Sequence, residues 1–187
     1  MNAYLEISIR PDPEFIPTTL MNILFGELHR ALAAHGRRNI GVSFPDVREN
    51  SRSLGTRLRI HGDASSLGAL TMSGCTAGLL DHIEVGEITQ VPTDARHRVV
   101  RRVQAKSSPE RQRRRLMARK GIDAEAARQT IPDCAAERLN LPYLILTSKS
   151  TGEQFRLFVE HLPIQQQAVE GEFSAYGLSA IATVPWF

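Results

Sequence analysis

A chain of 187 residues that is 42% hydrophobic and 23% charged, with 13 glycines and 10 prolines, has the composition of a folded globular protein. This excludes a collagen, a coiled-coil rod and a wholly disordered chain. No apolar run approaches the ~18 residues of a membrane span, and Met1-Asn2-Ala3-Tyr4-Leu5-Glu6 has neither the basic nor the apolar stretch of a leader, which predicts a cytoplasmic protein with no membrane partner. The net charge of +3 conceals a concentrated patch: residues 96–120 hold 11 of the 23 Lys and Arg and one of the 20 Asp and Glu, Glu110. That segment carries +10 and the remainder −7, so the basic character sits in one place and suits phosphates.

In chain order, Tyr4 to Arg10 alternates as a strand and is stopped by Pro11-Asp12-Pro13. From Thr18 to about His35, Leu20, Leu24, Leu28, Ala31 and Leu32 recur at helical spacing, with Gly36 where a C-cap glycine belongs. Ile40 to Phe44 and Arg57 to His61 read as strands, and Asp63-Ala64-Ser65-Ser66 opens a second helix that is broken or ends near Gly74. Ile83 to Val91 reads as one further strand. The order strand, helix, strand, strand, helix, strand is the ferredoxin-like pattern, and Pro92-Thr93-Asp94 marks a boundary. The expected organisation is therefore α+β, with a ferredoxin-like (RRM-like) domain over 1–92 and a second domain over 93–187.

In the second half, His97 to Lys106 predicts a basic strand. Ser108-Pro109-Glu110 starts a helix that Gly121 ends, and Asp123 to Gln129 forms another. Tyr143 to Thr147 and Phe155 to His161 predict a hairpin turning at Thr151-Gly152.

The chemistry-bearing residues follow from these elements. At ~100° per residue, Arg111, Arg114, Arg115 and Arg119 share one arc of the basic helix, interrupted by Ala118, with Leu116 and Met117 opposite. Forked guanidinium donors along a helix suit phosphates across a groove, of DNA or of RNA. Arg102 and Gln104, two apart on a strand, share a face and are the side-chain types that pair with guanine and adenine edges; two exposed polar residues on a half-buried strand is the plain alternative. His29 lies at the edge of the first helix's apolar stripe, beside Phe25 and on the side of Asn22, and a histidine is suited to taking a proton from a ribose 2′-hydroxyl. Five other histidines compete for that role: His35, His61, His82, His97 and His161. Thr147-Ser148-Lys149-Ser150-Thr151 offers hydroxyls for ribose or phosphate, although turns use such residues for their own backbone. Cys75 and Cys134 stand alone, and no cysteine or histidine pair has metal-ligand spacing.

Across essentially its whole length the sequence resembles the CRISPR repeat-processing endoribonucleases of type I-F systems. The resemblance is carried by Leu5 to Arg10 with Pro11-Asp12-Pro13-Glu14-Phe15, by Leu24-Phe25-Gly26-Glu27-Leu28-His29 and by Ile40-Gly41-Val42-Ser43-Phe44-Pro45. Further on it is carried by Arg102-Val103-Gln104-Ala105-Lys106-Ser107 with Pro109-Glu110-Arg111, by Ser150-Thr151-Gly152 through Phe155-Arg156-Leu157-Phe158, and by Tyr176-Gly177-Leu178-Ser179 with Val184-Pro185-Trp186-Phe187.

The resemblance implies a ferredoxin-like N-terminal domain, a C-terminal domain bearing an arginine-rich helix, and a CRISPR repeat RNA hairpin as substrate. It further implies His29 as general base on the 2′-hydroxyl, Ser148 holding the ribose and Tyr176 orienting the histidine. Arg102 and Gln104 would read base edges at the foot of the stem, Phe155 would stack beneath it, Ser150 would contact RNA, and Arg111, Arg114, Arg115 and Arg119 would lie along the stem's major groove. It implies cleavage without metal or cofactor, a 2′,3′-cyclic phosphate product, and a monomer that stays on the guide RNA with the other subunits of a surveillance complex. A non-catalytic subunit that binds the hairpin is the alternative from a different class, and a DNA-binding helix module is a more distant one. The sequence departs from the family's pattern at Ala118, where the family carries arginine, and in the fewer glycines after Gly177.

Overall fold

A computed structural model of the chain describes residues 1–104, 109–132, 139–148 and 151–187. Among the described residues it is a mixed α+β structure with two antiparallel sheets and four α-helices. The elements run β1 (Ala3–Ile9), α1 (Pro17–His35), β2 (Gly41–Ser43), β3 (Arg57–Gly62), α2 (Ala64–Met72), β4 (Ile83–Val85), β5 (Thr89–Gln90), β6 (Arg96–Val103), α3 (Pro109–Lys120), α4 (Ala124–Thr130), β7 (Tyr143–Thr147), β8 (Gln154–His161) and β9 (Thr183–Trp186). The chain divides into two compact units, one of Met1–Arg102 with Leu141–Phe187 and one of Val103–Asn140.

In the larger unit the first sheet has the order β2-β3-β1-β4, with β5 also pairing with β1, and the second has β7-β8-β6-β9. Strict alternation along β1 sends Ala3, Leu5, Ile7 and Ile9 into the core. Helix α1 begins on Pro17, whose fixed φ suits the first turn, and stops at Gly36 in the left-handed conformation (φ 70°), where the Gly36 N–H donates to the Leu32 carbonyl. Its buried stripe, Leu20, Met21, Leu24, Phe25, Leu28 and Leu32, joins one continuous core with Val100, Leu144, Leu146, Leu157 and Val159 of the second sheet.

One detail differs from the sequence reading. The strand expected over 83–91 is two strands. Ile7 faces Val85 and Tyr4 faces Thr89, so Gly86, Glu87 and Ile88 stand against only Leu5 and Glu6, and the surplus residue breaks the ladder as a bulge does. The second helix ends at Met72, near Gly74 as the sequence predicts, and Gly74 turns the chain at φ 70°. The expected basic strand is described to Val103, and its continuation through Ala105 and Lys106 lies outside the described residues.

The smaller unit holds α3 and α4. Asp123 caps α4 by accepting from the Ala126 N–H at 2.8 Å, and Gly121 (φ 64°) closes α3. Leu116 and Ala127 are buried, and Arg113 Nε donates to the Ile131 carbonyl at 2.7 Å. Arg114, Arg115, Ala118 and Arg119 are exposed.

Candidate functional site

Within the larger unit a cleft of about 780 Å³ opens between α1 and the β7–β8 hairpin. From α1 it is lined by Asn22, Gly26, His29 and Ala33, positions four, seven and eleven along from the first and so on one stripe beside the buried one. Gly26 and Ala33 keep that stripe low. From the hairpin come Ile145, Leu146, Thr147, Ser148, Gln154 and Phe155, and from the later loop Tyr176. Of the six histidines only His29 lines this cleft.

His29 is held from two directions. Its Nδ1 lies 2.8 Å from the Ala175 carbonyl oxygen, and its ring stacks on Tyr176 with centroids 4.0 Å apart and planes 8° from parallel. A carbonyl only accepts, so Nδ1 carries a proton, and in the neutral imidazole the lone pair is then on Nε2, which is the form a general base needs. The turn supplying these contacts is tightly made. Gly177 N–H donates to Ser174 O at 2.8 Å, Ser174 N–H to Leu178 O at 2.9 Å, and Val42 N–H of β2 to Gly177 O at 2.9 Å. Gly177 has φ 66°, and a Cβ there would stand 2.7 Å from Val42 Cγ1, so glycine is required for both conformation and space.

Ser148 ends β7. Its N–H donates to Glu153 O at 2.9 Å and its carbonyl accepts from Gly152 N–H at 2.8 Å, closing the hairpin at Gly152 (φ 70°). The Thr151 N–H lies 3.4 Å from Ser148 Oγ. Arg102, at the end of the larger unit's β6, has its guanidinium carbon 5.3 Å from the Tyr176 ring centre and 5.9 Å from that of Phe155. Thus His29, Tyr176, Ser148, Phe155 and Arg102, far apart in sequence, are brought around one cleft. Gln104, Arg111, Arg114, Arg115 and Arg119 belong to the smaller unit, where Gln104 is exposed. Ser150 lies outside the described residues, as does Cys134.

The competing histidines lie outside the cleft. His61 is fully buried and His161 is half-buried with both ring nitrogens shielded from solvent; the pKa of each is pushed down to about 3, chiefly by loss of solvent and secondarily by the charges of Arg59 and Arg98 respectively. His61 Nε2 is 2.8 Å from Ser43 Oγ, while neither ring nitrogen of His161 has a hydrogen-bond partner among the described residues. His82 pairs with Asp12 at 2.7 Å. Burial also lowers the pKa of His97. Among the described residues no group of His, Cys, Asp and Glu is arranged to hold a metal ion, and no helix is long and apolar enough to cross a membrane.

Sequence reasoning missed the Ala175 carbonyl, since a backbone acceptor leaves no trace in residue identity. Gly177 was the available signal for it. It also missed the ion pair of Glu27 with Arg30 on the cleft's rim and the contribution of Gln154.

A sequence model of the CRISPR-associated protein family Cas_Csy4 matches residues 4–187 of the chain. The chain belongs to this family. It is 54% identical to the CRISPR-associated endonuclease Cas6/Csy4 of Pseudomonas aeruginosa (strain UCBPP-PA14) over 187 residues, covering all of both chains. It is 46% identical, again over 187 residues and all of both chains, to the CRISPR-associated endonuclease Cas6/Csy4 of Escherichia coli (strain UTI89 / UPEC).

Proposed function

We propose that this protein is a metal-independent endoribonuclease that cleaves CRISPR precursor transcripts at the 3′ base of the repeat hairpin. The observation that carries the mechanism is the state of His29: Nδ1–H donates to Ala175 O, Tyr176 stacks against the ring, and Nε2 is left as a base in the cleft shared with Ser148. His29 Nε2 takes the 2′-hydroxyl proton of the nucleotide 5′ to the scissile phosphate, whose ribose Ser148 holds. The 2′-oxygen bonds to phosphorus, the bond to the 5′-oxygen breaks, and that oxygen takes a proton from solvent. The products are a 2′,3′-cyclic phosphate and a 5′-hydroxyl. The substrate carries its own nucleophile and the protein supplies the base, so no metal-bound water is called for.

Selectivity would come from elsewhere. Arg102 and Gln104 read base edges at the foot of the stem, Phe155 stacks beneath it, Ser150 contacts RNA, and Arg111, Arg114, Arg115 and Arg119 meet phosphates along the groove. The β1-α1-β2-β3-α2-β4 order with sheet order β2-β3-β1-β4 supports reading the N-terminal portion, 1–92, as a ferredoxin-like domain, with the RNA-binding domain over 93–187. We further place the protein in the cytoplasm, as a monomer that remains on the guide RNA among other subunits. The test is incubation of the repeat hairpin in EDTA with analysis of product ends. Cutting to a cyclic phosphate, and no cutting when the scissile nucleotide is 2′-deoxy, is the expected result. Cleavage of the deoxy substrate, or binding with no turnover, refutes the mechanism, and the latter favours a non-catalytic hairpin-binding subunit.

A further inference from the structure

One side chain joins the two walls of the cleft. Strand β7 is an edge strand, and its register with β8 turns the N–H groups of Tyr143, Ile145 and Thr147 away from the ladder, because Ser148 pairs its N–H with Glu153 O and Val159 its N–H with Pro142 O. Tyr143 N–H is taken up by Arg52 O at 3.2 Å. Ile145 N–H donates to Asn22 Oδ1 at 3.0 Å, across from α1. The donor is a backbone N–H, so the accepting atom is the amide oxygen and the Asn22 side chain has one orientation.

Asn22 and His29 are seven positions apart, two helical turns, ~20° from the same line and ~10 Å apart along α1. Ile145 and Ser148 are three positions apart, ~10 Å along the strand. The Asn22–Ile145 bond is therefore the vertex from which both arms of the cleft extend, His29 at the tip of one and Ser148 at the tip of the other. A swing of only ~6° at the vertex moves a ~10 Å arm by ~1 Å, a displacement that can cost ~10² in rate when it separates reacting groups. We infer that Asn22 is a positioning residue of the endonuclease, clamping the edge of β7 to α1 and so setting Ser148 opposite His29. The inference rests on the His29 mechanism proposed above.

The experiment compares Asn22→Ala, Asn22→Asp and His29→Ala in the full chain. Three quantities are read: the single-turnover cleavage rate of a synthetic repeat hairpin at saturating protein, the affinity for the same hairpin with a 2′-deoxy scissile nucleotide, and hydrogen exchange of the Ile145 amide. Asn22→Ala is expected to cut tenfold or more slowly per folded molecule, bind the deoxy hairpin within about twofold of the parent and expose the Ile145 amide to rapid exchange. Asn22→Asp keeps an acceptor oxygen at the same place and should recover the saturated rate and the amide protection, even where its charge weakens affinity. Asn22→Ala cutting within twofold of the parent while His29→Ala is inactive overturns the clamp and leaves the mechanism standing. Asn22→Asp as slow as Asn22→Ala also overturns it. His29→Ala cutting at the parent's rate brings down the mechanism and the clamp together. If the alanine variant fails to fold, the aspartate variant decides alone: a parent-like saturated rate supports the clamp and a tenfold loss overturns it.

Discussion

Replacing Gly177 by alanine perturbs the orientation of His29 without touching the histidine. At φ 66° a side chain costs ~1–2 kcal/mol, and the new Cβ would stand 2.7 Å from Val42 Cγ1 and 3.3 Å from Cγ2, where ordinary contact begins at 3.4 Å. Turn and strand must part by ~1 Å, an overpacking cost of ~1–3 kcal/mol, so stability falls by ~2–5 kcal/mol in all. For a chain of this size the melting temperature should drop on the order of 10 °C. The same ~1 Å at Ala175 O lengthens its 2.8 Å bond to His29 Nδ1 beyond hydrogen-bonding range. The imidazole is then free to rotate and to change tautomer, and the cleavage rate should fall by ~10²-fold. The assay is single-turnover cleavage well below the melting transition, expressed per folded molecule, for Gly177→Ala, Val42→Ala and the double variant. Val42→Ala removes both contacting methyls, so the double variant should regain much of the rate while keeping the backbone strain. A Gly177→Ala rate within threefold of the parent would show that this turn does not orient the base.

Four further outcomes are expected. His29→Ala should lose ~10²–10⁴ in cleavage rate with hairpin affinity near the parent's, measured by single-turnover kinetics and by titration of a deoxy-blocked hairpin; a loss under threefold dismisses His29 as the base. Arg115→Ala should weaken matched and mutated stems equally and flatten the salt dependence, whereas Arg102→Ala should narrow the gap between them, base-edge pairs discriminating by ~1–3 kcal/mol; titration of both hairpins at two salt concentrations separates these effects. Ala118→Arg should tighten binding without altering preference, and unchanged affinity would place position 118 away from the RNA. Acid should destabilise the fold through His61 and His161, because the unfolded chain takes up protons below pH ~6.5 while the folded chain, with both pKa values near 3, does not. Stability is intact above that pH and falls below it by ~1 kcal/mol per pH unit for each histidine, as urea midpoints between pH 7 and 4.5 will show. A flat profile there would contradict the burial argument, and His161→Phe should reduce the slope.

Most elements of this chain were legible locally because their signals are local, whereas β9 was not read as a strand. Gly36 and Gly121 close helices in left-handed conformations, Asp63 and Asp123 cap them, and the alternation in β1 and β8 matches a half-buried strand. The arginine arc of α3 was likewise legible, since a helix's two faces follow from residue spacing alone. The bulge between β4 and β5 was not, because it is set by the register against β1, and register is a relation between distant segments. The residue types for the proposed chemistry, and the family resemblance that selected His29, Ser148 and Tyr176, were present in the sequence. Their arrangement was not.

Only the tertiary structure showed that His29 from α1, Ser148 from the end of β7 and Tyr176 from a late turn line one cleft, and that a backbone carbonyl determines which imidazole nitrogen carries the proton. The physical reason is that a cap or an amphipathic stripe is decided within a few residues. A hydrogen bond such as Asn22 to Ile145, or the pressing of Gly177 onto Val42, exists only after the core has brought the segments together, and either partner's identity is compatible with many others.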